Sequence, residues 1–311
     1  MPETPNSYIS ERIPVHRGSV KNLYEVVGEP DMLDCYHTDH FSMFDRGPHQ
    51  QTIPDMGESL CACTVASFKI AATLGVPTHF VRKIDSRTIR IRRFALGGTG
   101  NNRVLPLEFI DRQFVAGSLW RDFADGSKDP RDYGFPARDV PAEGTPLRWP
   151  IHQITTKREK VDRPLTVEGA LRIGGILPEH LARAWSLIDT LNGGLALAAR
   201  VAGLARLDGK KEVALGENGE IIIVDFCGTP HEDRFALAGP LKSGTVMHCS
   251  KEYLRQIFIA NGFFARLKAA RAAGEPDPDY PDLTPEQIRE AATRFRELAQ
   301  NYTWAVHKIL A

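Results

Sequence analysis

The segment from Arg206 to Phe235, RLDGKKEVALGENGEIIIVDFCGTPHEDRF, most constrains what this chain can fold into. Its Asn218-Gly219 pair predicts a two-residue type I′ turn, which needs positive φ at both central positions and so favours Asn-Gly. With Glu217 and Glu220 closing that turn, counting outward sets Glu212 opposite Asp225. Side chains alternate along a strand, so Asp208, Lys210 and Glu212 share one face. Ile221 to Val224 is apolar on both faces and reads as a buried partner strand. Two facing carboxylates, ~4.5–5.5 Å apart at Cβ, repel most where water is scarce. One reading neutralises them with a divalent cation, with Lys210 beside it for a phosphate or carboxylate. The other leaves both acids solvated at the mouth of the hairpin.

A chain of 311 residues can bury a large core as one domain or as two to three lobes. Lys+Arg and Asp+Glu are equal at 39 each, so no global field steers the chain to nucleic acid or to a membrane surface. Five cysteines without C-x-x-C spacing suit a reduced, cytoplasmic chain better than a disulfide framework or a structural zinc site. The N-terminus has no apolar core of a signal peptide, and no run of apolar residues is long enough to span a bilayer. The expected partner is a small molecule; whether copies of the chain associate stays open.

After a polar lead-in over residues 1–13, Gly18-Ser19-Val20-Lys21 reads as a turn entering a strand, either an ordinary β-turn or a cover for a nucleotide phosphate. His37, Asp39, His40, Asp45 and His49 crowd thirteen residues in irregular spacing, which fits a polar active-site loop better than a metal template. A helix is expected from Glu58 to Leu74, ending at Gly75. Arg82 to Phe94 alternates isoleucine with arginine and reads as one half-exposed strand with a charged outer face. In RVLPLEFIDRQFVAGSLWRDF (103–123), a strand with Glu108 and Arg112 runs into Ala116-Gly117-Ser118. There an arginine, a hydroxyl and turn amides make a phosphate-monoester site in miniature. Residues 124–150 read as a surface excursion and 150–162 as a mobile loop. A helix opens at Pro178, is interrupted at Asn192-Gly193-Gly194 and resumes. Ser250 to Ala272 reads as helical, and Thr284-Pro285-Glu286-Gln287 starts a last helix with a capping box.

In order along the chain, RGSVKNLYEV, TDHFSMFD, IPDMGESL, LPLEFIDRQFVAGSLW, TKRE, LDGKKE and VDFCGTPHEDRF resemble the motifs of the SAICAR synthetase family, from Arg17 to about Trp304. The resemblance implies an α+β fold of two lobes with antiparallel sheets and C-terminal helices. Its expected segments are a β-rich nucleotide-covering lobe (1–95), an α+β substrate and metal lobe (96–245) and a helical segment (246–311). It implies a ligase that joins the carboxylate of a 5-aminoimidazole ribonucleotide (CAIR) to aspartate through an acyl phosphate made from ATP, with Mg2+ or Mn2+. Residue by residue, Arg112, Ser118 and Arg234 would hold the ribonucleotide 5′-phosphate, and Glu212 and Asp225 the metal. Lys210, Glu108 and Asp45 would serve the chemistry, Gly18, Ser19 and Lys21 the nucleotide, and Lys157 and Glu159 the mobile loop.

The departures shape the expectation further. Ser19 and Met56 stand where the family motifs have lysines, and Val161 where the loop motif has histidine. His231, Glu232 and Asp233 replace Asp-Ser-Ser. Two lost lysines remove charge-assisted contacts of about 1.5–3 kcal/mol each. The favoured reading is therefore a paralogue acting on a CAIR-like ribonucleotide with altered chemistry and little use of ATP, in purine-related or nucleoside-antibiotic biosynthesis. His231, with an ordinary value near ~6.5, would either shuttle protons there or simply fill space and hydrogen-bond the backbone. The alternatives are an ATP-dependent SAICAR synthetase and a non-catalytic ribonucleotide-binding protein.

Overall fold

The computed structural model of the chain describes residues 12–136, 140–159 and 162–311. Residues 1–11 of the lead-in, and Val161 with the loop departure assigned to it, lie outside the described residues. The N-terminal part contributes β1 (His16–Arg17), β2 (Lys21–Val26), β3 (Glu29–His37), β4 (His40–Ser42), β5 (Pro48–Thr52), α1 (Met56–Thr73), β6 (Phe80–Lys83) and β7 (Thr88–Arg92). Five of these strands form an antiparallel sheet in the order β1–β2–β3–β7–β6. The expected single strand over Arg82–Phe94 is instead the hairpin β6–β7, turned where Asp85 Oδ1 accepts the Arg87 amide at 2.8 Å. Its arginines are not all solvated. Arg90 is buried and bonds Asp34 at 3.0 Å and Glu29 at 2.7 Å, because β3 brings acids to that face.

The rest of the chain runs through β8 (Arg103–Val104), β9 (Leu107–Phe114), α2 (Gly117–Ala124), β10 (Pro146–Thr156), β11 (Pro164–Leu165), α3 (Val167–Gly174), α4 (Pro178–Val201), β12 (Leu204–Leu215), β13 (Ile221–Val224) and β14 (Asp233–Leu237). It ends in α5 (Ala238–Lys242), α6 (Glu252–Ala260), α7 (Phe263–Ala273) and α8 (Pro285–Leu310). The second sheet is organised on β12, which changes partners along its length. Leu204 to Gly209 pairs with β14 and Asp208 to Lys211 with β9, while Glu212 to Leu215 pairs with β13 and Ala214 and Leu215 also with β8.

The hairpin register differs by one residue from expectation: Glu212 pairs with Val224, not Asp225. The Gly216 amide bonds the Glu220 carbonyl at 2.8 Å, so the loop has three residues, and of these Gly219 has positive φ (84°) while Asn218 does not. A type I turn closed by a left-handed glycine is the common three-residue alternative to the two-residue turn. Asp225 then follows the strand in a left-handed conformation (φ 60°), which re-aims its side chain.

Three further expectations change. Residues 146–156 are the strand β10 rather than excursion and loop, with Pro150 falling in the register irregularity between Pro146 and Ile151, where proline is tolerated. Helix α4 continues through Asn192-Gly193-Gly194. A Cβ on Gly194 would lie 2.5 Å from Ile70, so close packing on α1 outweighs the weak helix propensity of glycine there. Ser250–Ala272 is two helices, broken at Gly262 (φ 76°). The capping box of α8 forms as expected, with Thr284 Oγ1 accepting the Gln287 amide at 3.2 Å and Gln287 Oε1 the Thr284 amide at 2.9 Å.

The largest apolar core draws on Val20, Phe109, Leu191, Phe235 and Tyr302, so sheets and helices from the whole chain share it. A second core packs Phe41, Met43 and Met56 against Phe258, Phe263 and Phe295. It brings the Ser42–Asp45 turn to the C-terminal helices. The nearby histidines serve this packing. His37 stacks on Phe226 and bonds the Arg87 carbonyl at 2.9 Å, with burial lowering it to about 3, and His49 stacks on Phe41. Of the expected polar loop, Ser42 and Asp45 reach a cavity. Among the described residues, no helix is long and apolar enough to cross a membrane.

Candidate active site

Two cavities meet over β12. The first, of about 360 Å³, is polar and lies against β9, β12, β14 and the start of α6. Arg112 from β9 donates to Ser118 Oγ at 2.9 Å and to Asp208 at 2.9 Å, and Arg234 from β14 donates to the same Asp208 oxygen at 2.6 Å. Arg234 also bonds Glu252 at 2.8 Å. Burial would lower the Arg234 guanidinium, but Asp208 and Glu252 hold it above its ordinary range. Gly117 (φ 59°) opens α2, and a Cβ there would sit 2.3 Å from the Arg234 guanidinium carbon. Glycine is thus required for the two phosphate-type donors of different strands to close on one corner.

At the other side of this cavity, Lys210 donates to Glu108 at 2.6 Å, approaches Glu232 at 3.2 Å and lies 3.9 Å from Glu212. Burial alone would lower Lys210, but Glu232, Glu108 and Glu212 together hold it well above the ordinary lysine value. Lys157 touches Glu212 and stands 3.5 Å from Glu108. Burial acts to raise Glu212, and Lys157, Lys210 and Lys21 override it, keeping the carboxylate ionised. Asp45 (φ 54°) and Ser19 line the same cavity.

The second cavity, of about 260 Å³, is a mostly apolar slot between the two sheets, walled by Leu23, Leu33, Ile89, Ile91, Val104, Val224 and Phe226. Its polar end carries Lys21, Lys157, Glu212 and Asp225, with Lys21 touching Asp225. Gly18 lines neither cavity; its amide bonds the Lys21 carbonyl at 2.8 Å and shapes the turn that sets Ser19 toward one cavity and Lys21 toward the other. Glu159 pairs with Arg163 at 2.9 Å and also lines neither.

The oxygen donors present suit a metal in one form, an open site in which it would displace the lysine contacts of Lys21 on Asp225 and Lys157 on Glu212. Among the described residues no group of three or more His, Cys, Asp or Glu is placed to hold an ion, so there is no closed protein cage. Glu212 and Asp225 at the polar end of the slot are an oxygen-only pair, and magnesium commonly takes one or two carboxylates and completes its shell with water and phosphate oxygens.

His231 lines the polar cavity but is buried, and burial drives it well below the ordinary histidine range, with Lys251 adding to the effect. The expectation that it titrates near pH 7 is corrected: it is neutral there. Its Nε2 lies 3.3 Å from Met56 Sδ. Two of the motif departures, 175 residues apart in the chain, therefore meet in space as one neutral pair. Sequence reading missed Glu232, Lys251, Glu252 and Asp162, all of which line the polar cavity. Burial lowers Lys251 to about 8, opposed by Glu232, and burial with Glu108 and Asp45 raises Asp162 to about 6. Lys251 and Glu252 open α6; Glu252 meets Arg255 one turn on in its own helix, but its other bases come from β14 and α2.

Comparison with known proteins bears on this site. The sequence profile of the family described as SAICAR synthetase matches residues 14–266. The chain belongs to the SAICAR synthetase family. Family membership makes it an enzyme of the ligase class. The phosphoribosylaminoimidazole-succinocarboxamide synthase of Thermoplasma volcanium is 35% identical over 290 residues, covering 92% of this chain and 97% of the relative. That of Thermoplasma acidophilum is 36% identical over 295 residues, covering 93% and 98%. Among solved structures, the SAICAR synthase of Saccharomyces cerevisiae complexed with SAICAR superposes with a TM-score of 0.69 at 20% identity, covering 97% of this chain and 98% of that one. A SAICAR synthetase in complex with ADP gives 0.63 at 22% identity, covering 85% and 99%. The SAICAR synthetase fold expected from the motifs is the fold observed, with α+β architecture and C-terminal helices.

Proposed function

We propose that this chain is an ATP-dependent ligase that joins CAIR to aspartate to give SAICAR, a step of purine biosynthesis. The observation that carries the reading is the junction of the cavities: Lys210 lines the polar one, Glu212 lines the slot, and the two are 3.9 Å apart. Arg112, Ser118 and Arg234 take the 5′-phosphate of the ribonucleotide, and the aliphatic slot takes adenine with Lys21 and Lys157 at its phosphate end. A carboxylate oxygen of CAIR attacks the γ-phosphorus of ATP and ADP leaves. The aspartate amine then attacks the acyl carbon, the C–O bond to phosphate breaks, and the amine gives up its proton. Lys210 and Lys157 offset charge on the phosphoryl oxygens during transfer. Glu108 orients Lys210 through their 2.6 Å bond, and Asp45, on the wall of the same cavity, would receive the incoming amine. Glu212 and Asp225 would hold magnesium or manganese, which supplies further stabilisation of phosphoryl charge.

This reading replaces the altered-chemistry paralogue as the favoured one. Relatives at 35% and 36% identity over nearly their full length bear the name of this reaction. Met56 and His231 form a buried neutral contact, so that pair of departures leaves no unpaired charge in the site. A non-catalytic role has less support still, since the Lys210–Glu108–Glu212–Lys157 set is intact. In the test, protein with CAIR, ATP, magnesium and aspartate forms SAICAR and ADP in equal amounts at about 1–10³ s⁻¹, and chelation of the metal stops both. Failure to form SAICAR while another azole ribonucleotide is consumed would return the paralogue reading.

A further inference from the structure

Behind the polar cavity, with Asp233 alone of its members also reaching the cavity wall, lies a second set of charges that the proposed reaction does not use. Arg206, fully buried, donates to Asp111 at 2.7 and 2.9 Å and to Asp233 at 3.0 and 2.6 Å. Lys211 Nζ adds a 2.9 Å bond to Asp233, whose other oxygen accepts the Gly228 amide. Two cations thus balance two carboxylates, all of them buried. Gly209 makes the space for them, since a Cβ there would lie 1.6 Å from Asp233 Oδ1 and 2.0 Å from Arg206 Nη2.

Each strand that carries a member of this set carries a cavity residue next to it in sequence. Asp111 precedes Arg112, Lys211 follows Lys210, and Asp233 precedes Arg234. Successive strand residues face opposite sides, so fixing one side chain below the sheet sets the aim of its neighbour above. The arrangement needs such a constraint, because β12 carries a bulge against β14: Arg206 pairs with Phe235, but Asp208 pairs with Arg234. A one-residue slip at a bulge turns every side chain of the strand to the other face. Here a slip would set Arg234 against Arg206 in place of Asp233, cation against cation, which the buried charges forbid.

We propose that Arg206, Lys211, Asp111 and Asp233 are positioning residues whose buried charges lock the β9–β12–β14 register and so aim Arg112, Lys210 and Arg234 at the ribonucleotide. The proposal rests on the polar cavity being the CAIR site. The test measures Kd for CAIR and for ADP by calorimetry, with melting curves to confirm folding, in the charge-balanced double variant Arg206→Met/Asp111→Asn, neither of whose residues lines the cavity. The CAIR Kd rises about ten- to a hundredfold, as misaimed binding groups predict, and the ADP Kd stays within about twofold. Lys211→Arg, which keeps the charge, retains CAIR affinity. A purely stabilising role would lower the melting temperature and leave both constants unchanged, and that result overturns the proposal. Should the double variant not fold, Lys211→Gln answers in its place, and wild-type CAIR affinity in it is equally fatal. Absence of CAIR binding in the wild type instead overturns the assignment of the cavity, and the positioning role with it.

Discussion

The polar cavity is walled by Arg112, Ser118, Lys210 and Arg234, while the slot beside it is walled by Leu23, Leu33, Ile89, Ile91 and Phe226. The first holds its donors by ion pairs from several strands, so that the groups meeting a ligand are pre-aimed and already desolvated. The second offers shape and mostly apolar surface, with Lys21, Lys157, Glu212 and Asp225 among its few charged groups. The lesson is that losing a cation should hurt the two regions unequally. In the polar cavity each donor shares a carboxylate with another, as Arg112 and Arg234 share Asp208. In the slot, Lys21 stands beside Asp225, while Ser19 on the same turn faces the polar cavity and adds no cation to the slot.

The largest expected effect breaks the polar side. Arg234→Ala removes a charge-assisted phosphate contact worth about 1.5–3 kcal/mol, so CAIR affinity falls about a hundredfold while ADP affinity holds. Titration calorimetry with both ligands decides it, and a matched loss of ADP binding would show that the cavities are not separate. Next, Leu23→Trp fills the slot. Overpacking of about 1–3 kcal/mol raises the KM for ATP about thirtyfold with the KM for CAIR unchanged, read from steady-state kinetics with each substrate varied.

The smallest effect sharpens the comparison through pH. Lys251 lines the polar cavity with a value lowered from 10.5 to about 8, so it loses its proton as pH rises past 8. CAIR binding then weakens about fivefold, the scale of a partly screened ion pair, and Lys251→Met flattens that limb. Stability moves the other way. Between about 8 and 10.5 the unfolded chain binds the extra proton, so unfolding becomes harder as pH rises through that window. Urea midpoints at pH 8 and 10 in the wild type and in Lys251→Met give the sign. His231 contributes no limb near pH 6.5 to either constant, because burial keeps it neutral.

Much of the polar cavity was legible in the chain because its signals are local. Arg112 and Ser118 sit six residues apart around a glycine turn, and Asp208, Lys210 and Glu212 alternate on one strand. The hairpin was legible in kind but not in register, since Asn-Gly fits both a two-residue turn and a three-residue loop with Gly219 alone left-handed. Likewise, the glycines of α4 read as a break because packing against Ile70 has no trace in the neighbouring sequence.

By itself the sequence determined the order of the motifs, the alternation that gathers Asp208, Lys210 and Glu212 on one face of β12, and the capped start of α8. It also determined the family, through segments that keep their order from Arg17 onward. Only the tertiary structure decided which charges are partners. Asp233 meets Arg206 and Lys211, Lys157 reaches Glu212 across 55 residues, and Met56 meets His231 across 175. The physical reason is that burial raises the cost of every unpaired charge, so the final pairing is chosen by whichever groups the packed strands bring together. The slot belongs to the same class: its walls come from β2, β3, β7 and β13, and no short stretch of chain encodes a cavity made between two sheets.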